Sequence, residues 1–141
     1  MTLMEYRMLE EERIYNEKAC ARIREKIRRA RERAEHITTD FHEGGGRSGT
    51  PKDKVGEIVA EIETWKAYLK EYEGKVEAAK ALAERVTEEI DEPRVRLALK
   101  LKYADGKTWY QVAQAIGWGS EDSWARLCER YLAKVKRPGT K

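Results

Sequence analysis

Between residues 52 and 90, apolar side chains return at alternating steps of three and four: Val55, Ile58, Ile62, Trp65, Leu69, Tyr72, Val76, Ala79, Ala83, Val86 and Ile90. That spacing keeps one stripe of a helix turned toward a partner, as in a coiled coil. It predicts a helix of about 38 residues, ~57 Å long at 1.5 Å per residue, which Gly74 weakens by only ~1 kcal/mol. Residues 1–37 carry a weaker version of the same signal in Ile23, Ile27, Ala30, Ala34 and Ile37, extended less regularly by Leu9, Tyr15 and Cys20. Between the two stands Gly44-Gly45-Gly46-Arg47-Ser48-Gly49-Thr50-Pro51, which has no apolar surface to bury, so 38–51 is expected to be a flexible loop. Two long helices joined in this way fold back as an antiparallel hairpin, each covering the other's seam. The second seam is the stronger, and the apolar surface left over predicts a homodimer through the hairpin.

After residue 92 the pattern shortens. Pro93 suits a first helical turn, and Val95, Leu97, Leu99, Leu101 and Tyr103 follow before Asp105-Gly106 stops the helix. Thr108 is placed to cap a second short helix, in which Trp109, Val112, Ala113 and Ile116 recur at helical spacing. Gly117-Trp118-Gly119 breaks it, and Ser120 caps a longer helix running to about Lys136, with Glu121 and Asp122 in the first turn where the helix dipole favours acid. Its buried stripe is expected to be Trp124, Leu127, Cys128, Tyr131 and Val135. Two helices joined by a tight glycine-containing turn, the second longer and basic on its free face, form the pattern of a helix-turn-helix. The expected fold is all-α: a long, coiled-coil-like antiparallel hairpin over 1–91, a C-terminal helix-turn-helix over 92–137, and a disordered tail at 138–141.

Charge sharpens this division. Residues 1–43 balance, 44–92 carry a net −4, and 93–141 hold 11 Lys and Arg against 4 Asp and Glu. The chain's formal charge is only +3, so the positive charge is concentrated where a footprint on phosphates needs it. Residues 22–33 also hold seven Lys or Arg against two Glu. Pairing with acids on the next helix explains that strip better than a second phosphate contact.

The residues Lys107-Thr108-Trp109, Val112-Ala113, Ile116-Gly117, Ser120-Glu121, Arg126-Leu127 and Leu132 resemble the C-terminal part of the ArpU/RinA-like family of phage transcriptional regulators, itself similar to region 4 of sigma-70 factors. The two-helix N-terminal region with its Gly/Ser/Pro-containing break is similar to that family as well. The turn carries one residue more, Gly119, and Arg126-Leu127-Cys128 stands where the family has Arg-Leu-His. The resemblance implies a sequence-specific regulator of phage or prophage genes that binds double-stranded DNA, with host RNA polymerase as a further partner.

Candidate DNA-binding residues are Lys107, Thr108, Ser120, Asp122, Ser123, Arg126, Arg130 and Lys134. Arg126, Arg130 and Lys134 step by four along one helix face. Arg126 is the candidate for bidentate contact with guanine, and the other two for phosphates. Capping is the preferred role of Glu121 and Asp122, over accepting from a cytosine amine. Trp109, Trp118 and Trp124 are expected as core and turn anchors rather than a base-stacking platform.

Other chemistry finds little support. Gly44–Gly49 has Walker A glycine spacing, but Thr50 and Pro51 replace the required Lys, and a helix precedes it. His36, Asp40, His42 and Glu43 read as solvated loop residues rather than a metal cluster. Cys20 and Cys128 are far apart and expected as core thiols. No catalytic set is recognisable, so no enzyme, cofactor or metal is expected. No stretch approaches 18 apolar residues, and Glu5 and Arg7 fall near the start, so neither membrane span nor signal peptide is expected and the bacterial host cytoplasm is the expected location. Two other functions share these features: a ring-forming, small terminase-like packaging subunit, and a sigma-like adaptor that binds RNA polymerase by protein contacts.

Overall fold

The computed structural model describes residues 1–44 and 51–135, the side chains of 38–44, 51–52 and 135 excepted. The centre of the expected loop, the tail at 138–141 and the Val135 side chain lie outside the described residues. Within them every element is helical: α1 (Leu3–Gly44), α2 (Pro51–Thr87), α3 (Pro93–Leu99), α4 (Trp109–Ile116) and α5 (Glu121–Val135), with a π-helical segment, Lys100–Ala104, continuing directly from α3. None of these helices is long and apolar enough to cross a membrane.

The ends of the helices follow from short-range chemistry. Thr2 and Glu5 cap α1 reciprocally: the Glu5 amide donates to Thr2 Oγ1 (3.2 Å) and the Thr2 amide to Glu5 Oε1 (3.3 Å). α1 runs on to Gly44 and α2 starts at Pro51, so the break between them is shorter than 38–51. Residues 38–43 contain neither glycine nor proline to stop a helix, and proline is favoured in a first turn. α3 has Pro93 in its first turn, as expected, and the Glu92 carboxylate accepts from the amides of Arg94 and Val95. Those amide donors, the Arg94 N–H first, hold the Glu92 carboxyl below the usual carboxylate range.

The chain divides into two compact units, Asn16–Gly74 and Met1–Tyr15 with Lys75–Lys141. The first is a helical hairpin. Its core is Ile23, Ile27 and Ala30 of α1 against Ile58 and Ile62 of α2, with Ala34, Ile37, Trp65, Leu69 and Tyr72 partly buried around it. Each fully buried isoleucine contributes roughly 1.5–3 kcal/mol. The arginine strip of α1 pairs as preferred above: Arg24 with Glu73 (2.9 Å) and Arg33 with Glu61 (2.6 Å) across the hairpin, and Arg28 and Arg29 with Glu25 along α1. The hydrogen bonds from Arg28 foremost, and from Arg29, hold the Glu25 carboxyl at about 2. Lys26 lies over the Trp65 ring, 5.0 Å from its centroid.

In the second unit, residues 1–15 and 75–91, assigned to the hairpin from their apolar spacing, share a core with the C-terminal helices. Tyr6 of α1, Ala83 of α2, Val95, Ala98 and Leu99 of α3, Val112 of α4 and Trp124, Cys128 and Leu132 of α5 are buried together. The Tyr6 and Tyr103 rings lie 4.9 Å apart, and Trp109 meets Tyr103 edge-on. Burial pushes the Tyr103 phenol up to about 12 and the Tyr6 phenol higher still. Lys102 and Glu10 form a largely shielded ion pair of 2.9 Å. Tyr15, expected on the α1 seam, is 63% exposed, whereas Arg13 and Asn16 are buried.

Candidate nucleic-acid interface

α4 and α5 present the candidate residues, and each is fixed at its start by side-chain hydrogen bonds. Thr108 caps α4 as expected and does so reciprocally: the Gln111 amide donates to Thr108 Oγ1 (3.2 Å) and the Thr108 amide to Gln111 Oε1 (2.9 Å). Gly117 ends α4 in the left-handed conformation, φ +96°, its amide donating to the Ala113 carbonyl. The turn ends at Gly119, also left-handed at φ +80°. Ser120 and Ser123 then lock the start of α5: the Ser123 amide donates to Ser120 Oγ (3.1 Å), the Ser120 amide to Ser123 Oγ (2.9 Å), and the Ser123 hydroxyl to the Ser120 carbonyl (2.9 Å). Both hydroxyls and the Thr108 amide are thus engaged in capping. Lys107 is half-buried, its amide donating to the Leu101 carbonyl at 3.0 Å.

The buried stripe of α5 differs from the expected one. Trp124, Cys128 and Leu132 are buried, while Leu127 and Tyr131 are only partly so. The stripe therefore follows steps of four, with Leu132 in a place expected of Tyr131. Burial pushes the Cys128 thiol up to about 12, with the Glu92 charge as a smaller cause.

This register determines where the charges of α5 lie. At about 100° per residue, Asp122, Arg126, Arg130 and Lys134 form one row stepping by four across the face opposite the buried stripe, each ~40° from the next, and Glu129 lies on the Asp122 edge of that row. All five are exposed. Glu129 accepts from Arg7 of α1 at 3.3 Å. Among the described residues Arg126, Arg130 and Lys134 enter no ion pair. The row thus opens with one acid, Asp122, and continues as three exposed cations.

Trp118 departs from the expectation of an anchor. Its side chain is 58% exposed. Its carbonyl does the anchoring instead, accepting from the buried Trp124 Nε1–H at 2.8 Å. Tyr110, on α4, is similarly exposed, and its hydroxyl accepts from Gln114 Nε2 at 2.6 Å. Beside Trp118 is a cleft of about 220 Å³ that Arg94 of α3 also lines, together with Ser123, Trp124, Leu127 and Arg130. Arg94 is not among the residues expected from the sequence, because its place in this cleft depends on α3 packing against α5 rather than on any local motif. Among the described residues no group of three or more His, Cys, Asp or Glu side chains is placed to hold a metal ion.

A comparison of the chain with family models, curated proteins and solved structures gives no match.

Proposed function

We propose that this protein is a sequence-specific regulator of phage or prophage late-gene transcription that binds double-stranded DNA, with α4 and α5 as its helix-turn-helix and α5 as the recognition helix. The observation that carries the proposal is the row Arg126, Arg130, Lys134: exposed, in no ion pair among the described residues, and set on a helix whose start is fixed by capping and whose opposite stripe is buried. A fixed helix presenting unneutralised cations suits the major groove, where neutralising phosphates supplies affinity and base edges supply selection. The resemblance of Lys107-Thr108-Trp109, Ser120-Glu121 and Arg126-Leu127 to ArpU/RinA-like regulators supports the same function.

In this account Arg126 reads guanine through its two parallel N–H donors, while Arg130, Lys134 and Lys107 meet phosphates. Ser120, Ser123 and Thr108 act chiefly by holding the helix starts, and Asp122 by favourable interaction with the α5 dipole. The hairpin is the assembly element, and a homodimer would address two half-sites with its two α5 helices. Two substitutions separate the roles. Arg126→Ala should cost ~1–3 kcal/mol on the preferred duplex and flatten the ranking of duplexes, whereas Lys134→Ala should weaken all duplexes alike. Equal losses on every duplex from both changes would sink the assignment of Arg126.

A further inference from the structure

We propose that Arg94 and Trp118 extend this interface: with Arg130 they form a cleft that takes one backbone phosphate of duplex DNA, the indole lying against the adjoining sugar. The inference rests on the duplex-binding function proposed for α5. Three elements converge here: α3 with Arg94, and, distant from it in sequence, the turn with Trp118 and α5 with Arg130. The cleft reaches α5 through Ser123, Leu127 and Arg130, and so meets the Arg126–Arg130–Lys134 row at Arg130.

Arg94 is available to a ligand. Its Nε donates to Glu92 at 3.3 Å, and among the described residues neither Nη nitrogen makes a hydrogen bond. Glu92 is already committed to two backbone amides of α3. A guanidinium with a free fork matches phosphate oxygens bidentately. Trp118 is presented rather than buried: its ring centroid is 4.9 Å from that of Trp124, and its backbone is held by the Trp124 hydrogen bond between two left-handed glycines. The planar apolar face of the exposed indole suits a deoxyribose. The side chains lining the cleft carry no carboxylate, which favours an anion over a base amine.

The test is fluorescence anisotropy of the full chain with a set of labelled duplexes over a salt series, comparing wild type, Arg94→Ala and, as a control, Arg31→Ala on the hairpin. Arg94→Ala should lower affinity by the same factor on every duplex and reduce the slope of log affinity against log salt by about 0.9, the value of one phosphate. Arg31→Ala should leave both unchanged. Acrylamide quenching reads Trp118: the accessible component lost in Trp118→Phe should be shielded when duplex is added to wild type. Wild-type binding with an unchanged slope in Arg94→Ala, or with Trp118 still fully quenchable in the complex, would overturn the cleft and leave α5 as the interface. Loss of preference among duplexes in Arg94→Ala would overturn the phosphate assignment. Absence of duplex binding by wild type would remove the underlying function and this inference with it.

Discussion

Alanine at Gly119 should destabilise the C-terminal unit far more than alanine at Gly117, although both glycines are left-handed, at φ +80° and +96°. A Cβ in that region costs roughly 1–2 kcal/mol at either position. At Gly117 the added methyl would meet nothing within 4 Å, so strain is the whole cost. At Gly119 it would stand 2.7 Å from Trp124 Nε1 and 3.2 Å from Cδ1. The indole, 2% exposed, has to move, and moving it breaks the 2.8 Å hydrogen bond to the Trp118 carbonyl. Leaving that buried donor unsatisfied adds roughly 1–3 kcal/mol. The expected losses are therefore about 2–5 kcal/mol at Gly119 against about 1–2 at Gly117. Urea unfolding followed by circular dichroism and tryptophan fluorescence measures both, provided the slope with denaturant is unchanged. Equal losses at the two glycines would refute the claim that the Trp124 indole leaves no room for a side chain at position 119.

Thr108→Ala should cost about 1 kcal/mol by removing the acceptor for the Gln111 amide, and Thr108→Ser should restore most of it, both read by thermal unfolding. Alkaline pH should weaken the C-terminal unit through Cys128. Its thiol ionises near 9 when unfolded and at about 12 when folded. The folded state therefore holds the proton more tightly, and the stability this gives is fully present below about pH 9 and lost as pH rises toward 12. Urea midpoints from pH 7 to 11 should fall along that window, less steeply in Cys128→Ala, with Tyr6 and Tyr103 leaving a residual slope of the same sign. A flat profile in the wild type would refute the burial argument. Neither Cys20 nor Cys128 should react with a thiol reagent at pH 8 until urea is added, since both are buried.

Much of the helical framework was legible because it depends on local chemistry. The heptad stripe of α2, the Thr108 and Ser120 caps and the glycine stops need only neighbouring residues, and the structure places helices and breaks there. Positions governed by long-range packing were not. An apolar stripe cannot register Arg13 or Asn16, which occupy buried positions of α1, and it wrongly enrols Tyr15. The guanidinium of Arg13 lies against the Asp105-Gly106 turn, 3.2 Å from where a Gly106 Cβ would stand, a contact between residues distant in sequence. Leu97, one of the apolar positions that follow Pro93, is 46% exposed, because a helix buries Val95, Ala98 and Leu99 rather than alternate residues. In the candidate interface, Arg126, Arg130 and Lys134 could be placed on one face from their spacing alone. That Leu132 rather than Tyr131 completes the buried stripe, and that Arg94 joins Arg130, required the actual register of α5 and its packing against α3.

The most direct measurement is anisotropy of the purified protein with duplex fragments from its own genomic neighbourhood, across a salt series. The account predicts selection of one fragment, with affinity falling linearly in log salt at about 0.9 per phosphate neutralised. Absent binding, or equal binding to every fragment, would contradict a sequence-specific regulator.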